Sequence, residues 1–336
     1  MRNRWMAVAL LVAGLGVHAG AAKKPDLVKP IAGPRAAALR VTILYVAPDK
    51  QSQKVDRVQI GREMVVAEKS GPWIRVYANT DQQLLREQRD TPILGSDDEN
   101  QPPISGWMEA KGIVVENTPD GDRILMGEAA NQEALAQDPR GPIHAAQSAR
   151  LLYRRLVEMF PNSPLVLEAA WRTADIQWQL DKAEQHTRPS AKEREAWLRD
   201  PIDDSEMKKL IKQNPRTRQA DLAAFDMLDN KLCGDWQGEA KCPEKESELY
   251  EKYALEHPES PRAALALYQA AYRQAVLVDM YAADDNQNRS RSAAAHAREL
   301  AKQLKERFPT SDYSSRAGTL VYKLDEGIPV YGLDRE

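Results

Sequence analysis

The chain has 336 residues, of which 42% are hydrophobic, with 47 Lys and Arg against 50 Asp and Glu. That is enough apolar material for two to three globular units, since domains commonly run ~100–200 residues. A formal net charge of −3 excludes nucleic acid and anionic membrane surfaces as main partners, because both require a clear basic excess.

Arg2 and Arg4 precede an apolar stretch over residues 5–17, and small residues follow at Ala19, Ala21 and Ala22. A positive start, a short apolar centre and a small-residue exit predict a secretory signal peptide over residues 1–22, cleaved after Ala19 or Ala22. The stretch falls short of the ~20 residues a membrane-spanning helix needs; an uncleaved anchor is the alternative. No cysteine lies near the exit to carry a lipid. The mature chain is then exported to the periplasm or cell envelope, has no transmembrane span, and loses Arg2 and Arg4, which takes its net charge from −3 to −5.

Residues 23–38, with Pro25, Pro30 and Gly33-Pro34, read as a linker. Short β-prone runs follow at residues 39–46, 55–60, 63–68, 73–77 and 104–115, separated by turn signals at Pro48-Asp49, Gly61 and Gly71-Pro72. Residues 79–103 form a polar inserted loop. The order Ala47-Pro48-Asp49, Gly61-Arg62-Glu63-Met64, Gly71-Pro72-Trp73-Ile74-Arg75-Val76-Tyr77 and Gly106-Trp107-Met108-Glu109 resembles the bacterial SH3 (SH3b) family over residues 39–115. The resemblance implies a small SH3-like β-barrel, assigned to residues 39–116, that binds cell-wall peptides or serves as an adaptor. Tyr45, Trp73, Tyr77 and Trp107 are its candidate ligand-binding residues, because an aromatic face stacks on a peptide or a sugar. The competing assignment has the tryptophans closing the core of a small barrel.

Residues 117–142 read as a second linker, with a helix possible over 123–137 despite Gly127 and a break at 138–142. One phrase then recurs four times: Phe160-Pro161-Asn162-Ser163, Asn214-Pro215-Arg216-Thr217, His257-Pro258-Glu259-Ser260 and Phe308-Pro309-Thr310-Ser311. Proline disfavours helical geometry in the residue before it, and Ser or Thr two residues later is a good N-cap. Apolar steps of three and four residues precede each stop (Tyr153, Leu156, Phe160; Tyr250, Tyr253, His257), and Ala-rich apolar runs follow. Residues 143–327 are therefore expected to form an array of helical hairpins, ahead of a tail at 328–336. The prolines are 54, 43 and 51 residues apart, longer than the ~34 of a plain tetratricopeptide repeat (TPR), so insertions are expected, the clearest at 188–204. The phrase resembles the TPR-like repeats of bacterial outer-membrane assembly and Tol–Pal-associated envelope proteins. An ordinary helical bundle broken by prolines is the alternative.

Cys233 and Cys242 are the only cysteines. In an exported chain a pair this close is expected to form a disulfide, with Gly234 near a helix end and Pro243-Glu244 in the first turn of the next helix. Trp236, at the tip of that loop, is the fifth candidate ligand-binding residue; it either anchors a partner or folds back on the helices. Chemistry is harder to find. His144, His186, His257 and His296 lack metal-ligand spacing, and His257 takes the position of Phe160 and Phe308, where packing is its expected role. Asp203-Asp204 and Asp284-Asp285 read as solvated turns, and Asp97-Asp98-Glu99 lacks the spaced ligands of a calcium loop. No catalytic residue, metal site or cofactor is assigned. The expected whole is a multi-domain α+β protein, an SH3-like β-barrel followed by an all-α TPR-like array. It is expected to act as a non-catalytic interaction scaffold for an envelope protein partner or an extended peptide. Peptidoglycan binding through the β domain is the alternative function.

Overall fold

A computed structural model describes residues 32–81 and 104–330. All but Ala32 belong to one compact unit, Gly33–Glu336. The expected signal peptide, most of the inserted loop and the last six residues lie outside the described residues.

Seven antiparallel strands come first: β1 Arg35–Ala38, β2 Thr42–Tyr45, β3 Lys54–Val58, β4 Glu63–Ser70, β5 Trp73–Ala78, β6 Ile104–Glu109 and β7 Ile113–Val115. Their order is β3-β2-β6-β5-β4-β1-β7. The edges β3 and β7 do not meet, so among the described residues the sheet is open where a closed barrel was expected. Two sequence expectations need correcting. A strand, β1, occupies the end of the stretch read as linker. Arg-Ala-Ala-Ala has weak β propensity, but it is held on both sides, by β4 and by β7. The run at 39–46 is also not one strand. It bends at residues 39–40, because β1 pairs at one end of the sheet and β2 at the other.

The alternation of strand side chains gives the sheet two faces. One holds Ala36, Ala38, Leu44, Met64, Ile74, Val76, Ala78 and Met108 as a closed core. On the other, Ala37 and Val114 join Leu125, Ala129, Leu152 and Leu156 of the helices.

Among the described residues nine α-helices follow: α1 Gly121–Gln137, α2 Ala145–Met159, α3 Val166–Thr187, α4 Ser205–Gln213, α5 Arg218–Asp226, α6 Lys241–Glu256, α7 Ala263–Ala283, α8 Gln287–Arg307 and α9 Asp312–Asp325. The helical layer thus starts at Gly121, inside the second expected linker. Leu125 and Ala129 of its first helix are fully buried, and the ring of Phe160 lies so close to Gly121 that a Cβ there would meet it at 2.4 Å.

The four proline corners share one geometry. Phe160, Asn214, His257 and Phe308 have φ between −125° and −133° and ψ between 56° and 59°. Each still donates its N–H to the carbonyl four residues back. That is the conformation expected of a residue driven out of the helical region by the proline behind it. The hydroxyls divide into two classes. Thr217 and Ser311 are true N-caps, accepting from Ala220 N and Tyr313 N. Ser163 and Ser260 precede Pro164 and Pro261; they accept from Leu165 N and Arg262 N, and the helix starts only at Val166 or Ala263. Three successive cores line the array: α1–α3 with the sheet, α3–α5 around Trp171 and Trp178, and α6–α9 around the alanines of α7.

Candidate functional site

The four aromatic candidates of the β domain lie outside the closed core. Trp73, Arg75 and Tyr77 alternate with the buried Ile74, Val76 and Ala78 along β5. Tyr45 stands opposite Trp107 in the β2–β6 register, Trp73 opposite Glu109 and Tyr77 opposite Ser105. The rings of Tyr45 and Trp73 meet edge to face, 5.8 Å apart. All four aromatic side chains are half-buried. The tryptophans do not fill the closed core: alanine, valine, isoleucine, leucine and methionine fill that space, leaving the aromatics on the opposite face beside Glu109, which pairs with both Lys50 and Lys111.

The fifth candidate, Trp236, folds back on the helices and is buried. The Cys233–Cys242 disulfide, with Cα atoms 5.9 Å apart, closes its loop. Glu246, on α6 and itself almost fully buried, gathers the loop. It accepts from Cys233 N at 2.9 Å, from Trp236 Nε1 at 3.1 Å and from Arg273 Nε at 2.9 Å. Gly234 presses against the carbonyl of Glu193, where a Cβ would approach to 2.3 Å. The loop is thus pinned by the 188–204 excursion, whose own Ile202 exchanges backbone hydrogen bonds with the Asn230 amide. That excursion is solvated only in part: Ile202 is buried while Trp197 is 78% exposed.

Trp236 borders a cavity of about 380 Å³ between α7 and α9. One wall is a stripe on α7, Leu265, Tyr268, Gln269, Tyr272 and Arg273, at steps of three and four residues; the other carries Tyr313, Arg316, Thr319, Leu320 and Lys323 of α9. Tyr268 and Tyr313 lie 5.7 Å apart across the gap. Arg273 stacks over Tyr250 at 4.7 Å and over Trp236 at 5.7 Å, and Arg316 over Tyr313 at 5.6 Å, contacts that orient a guanidinium without neutralising it. Three cations and no carboxylate line the space. Tyr268 and Tyr272 belong to an Ala-rich apolar run that follows the third proline corner. The cationic companions on α9 lie more than 40 residues away in sequence, and no periodicity in one helix reveals which stripe it will face.

The titratable groups elsewhere are bound into the fold. His257 Nδ1 pairs with Asp221 Oδ1 at 2.8 Å and its ring stacks on Tyr253. The neighbouring Ser260 hydroxyl is engaged by the Tyr253 hydroxyl at 2.6 Å and by Arg262 N–H, so this corner packs through its polar groups. Burial, reinforced by the nearby Asp175 and Asp229, pushes Asp226 up to about 7. Among the described residues no three His, Cys, Asp or Glu side chains converge as metal ligands, and no helix is long and apolar enough to cross a membrane.

No protein-family model matches the chain, and no curated protein matches its sequence.

Proposed function

We propose that this chain is an exported, non-catalytic protein of the cell envelope that works as an interaction scaffold. In this reading TPR-like helical hairpins hold an envelope protein partner or an extended segment of one, and an SH3b-like sheet is the second binding module. The observation that carries it is the α7–α9 cavity, whose lining of tyrosine, tryptophan, arginine and lysine is binding chemistry and contains no acid, histidine or thiol. The repeated corners support it, since hairpins that pack mainly on their neighbours present a long continuous surface. Cross-linking the exported protein in cells and identifying what it captures tests the reading; capture of other copies of itself alone would sink it.

A second reading, attachment to peptidoglycan through the sheet, is favoured by one observation: Tyr45, Trp73, Tyr77 and Trp107 lie half-buried on a single face. Rings so placed stack on sugars or peptides. Co-sedimentation of the full chain with purified sacculi decides it, and a chain that stays in the supernatant removes this reading.

A further inference from the structure

The cavity between α7 and α9 differs from an ordinary gap between helices in its charge. Arg273 is committed at its base, where Glu246 accepts from Nε and the Arg side chain is only 11% exposed. Arg316 pairs with Asp312 by Nε alone, 2.8 Å, and is 51% exposed. Lys323 makes no ion pair among the described residues, although its helix places it on the same wall as Tyr313, Arg316 and Leu320. The mouth is therefore cationic and open, while the floor is aromatic. A lone anion such as phosphate fills only a fraction of about 380 Å³ and leaves the aromatic part of the lining uncovered. A purely apolar ligand brings no counter-charge to Lys323. Pockets of this size take ligands with an apolar body and a few polar groups fixed by charge.

We infer that this cavity binds an acidic, extended segment of a protein partner, with an aromatic or large aliphatic side chain seated among Trp236, Tyr268, Tyr272 and Tyr313 and carboxylates on Arg316 and Lys323. The inference rests on the scaffold reading and names the chemistry of what the array holds. Charge complementarity selects the segment. The aromatic walls supply most of the affinity, as buried rings do at protein interfaces. Trp236 is set in place by the disulfide loop and Glu246, so the site is preformed and costs little ordering when it fills.

The test uses the purified full chain with its disulfide intact and a fluorescent peptide alternating glutamate and phenylalanine. Saturable binding is expected, weakened about tenfold or more in the double variant Arg316→Glu, Lys323→Glu. Both side chains reach solvent, so the fold survives the change. Tyr313→Ala is expected to weaken it as well. A peptide alternating lysine and phenylalanine is expected not to bind. Equal binding of the two peptides, binding unchanged in the double variant, or no binding of the acidic peptide overturns the inference. So does a preference for phosphatidylglycerol vesicles over the peptide, or self-association of the wild-type chain that the same variants abolish, which assigns the cavity to a second copy. A photo-cross-linker at Thr319 and another at the remote Trp197 separate this failure from that of the scaffold. A partner captured from Trp197 with no acidic-peptide binding leaves the scaffold standing and removes the cavity's assignment. No partner from either position, with no peptide bound, removes both.

Discussion

Arginine plays opposite parts at the two ends of this molecule. Where the sheet meets the helices, Arg155 of α2 is fully buried and meets Glu63 at 2.7 Å, Asp81 at 3.2 Å and Glu158 at 2.6 Å. Arg35, Arg62 and Arg154 complete the cluster, and its cations hold Glu158 below the usual carboxylate range despite its burial. Every charge there arrives with its counter-ion. In the α7–α9 cavity Arg316 reaches its acid by Nε alone, and Lys323 makes no ion pair among the described residues. Only Arg273 is fully engaged, and it keeps its face on aromatic rings. A cation's role is set by whether the fold brings the carboxylate too: at the junction Arg155 locks two layers together, and at the cavity Lys323 leaves a charge for something else to meet.

The largest effect is expected at the junction. Arg155→Met takes from the buried Glu63 and Asp81 a shared partner and leaves them only Arg35 and Arg62, and urea unfolding should show a loss of about 3–5 kcal/mol. A loss below 1 kcal/mol would mean that water reaches those acids, and the contrast with the cavity would fail. Arg273→Met should cost less, about 1–3 kcal/mol in the same assay, because Glu246 keeps the N–H donors of Trp236 and Cys233. Asp226 stands on the other side, a half-buried acid whose strongest charged neighbours, Asp175 and Asp229, share its sign. Its folded pKa of about 7 stands above the ordinary 3.8, so the native state holds a proton that the unfolded chain releases. Stability is full at low pH and is lost as pH rises through that window. Asp226→Asn should therefore be more stable than the wild type by about 1–2 kcal/mol near pH 8 and equal to it near pH 4. A variant equally stable at both ends of the range would show that Asp226 is solvated. The smallest effect belongs to Lys323→Met, within about 0.5 kcal/mol, because among the described residues no ion pair depends on that charge.

The sequence alone determined what is local. Proline at 161, 215, 258 and 309 fixes four helix ends through the geometry it forces on the residue before it, and the closeness of Cys233 and Cys242 sets their pairing. β4 and β5 were visible as β-prone runs flanking Gly71-Pro72. What depends on distant partners was not legible. The Ala-rich β1 is a strand because β4 and β7 supply its hydrogen bonds, and α1 belongs to the array because Leu125 and Ala129 fill a space that α2 and the sheet leave. Tyr45, Trp73, Tyr77 and Trp107 were found as residue types, but which face of the sheet they take follows from strand register. Tyr313, Arg316 and Lys323 became one wall of a cavity only when α9 packed against α7. Steric rules act between adjacent residues, whereas burial, register and charge pairing are properties of surfaces that meet, and only the tertiary structure decides which surfaces those are.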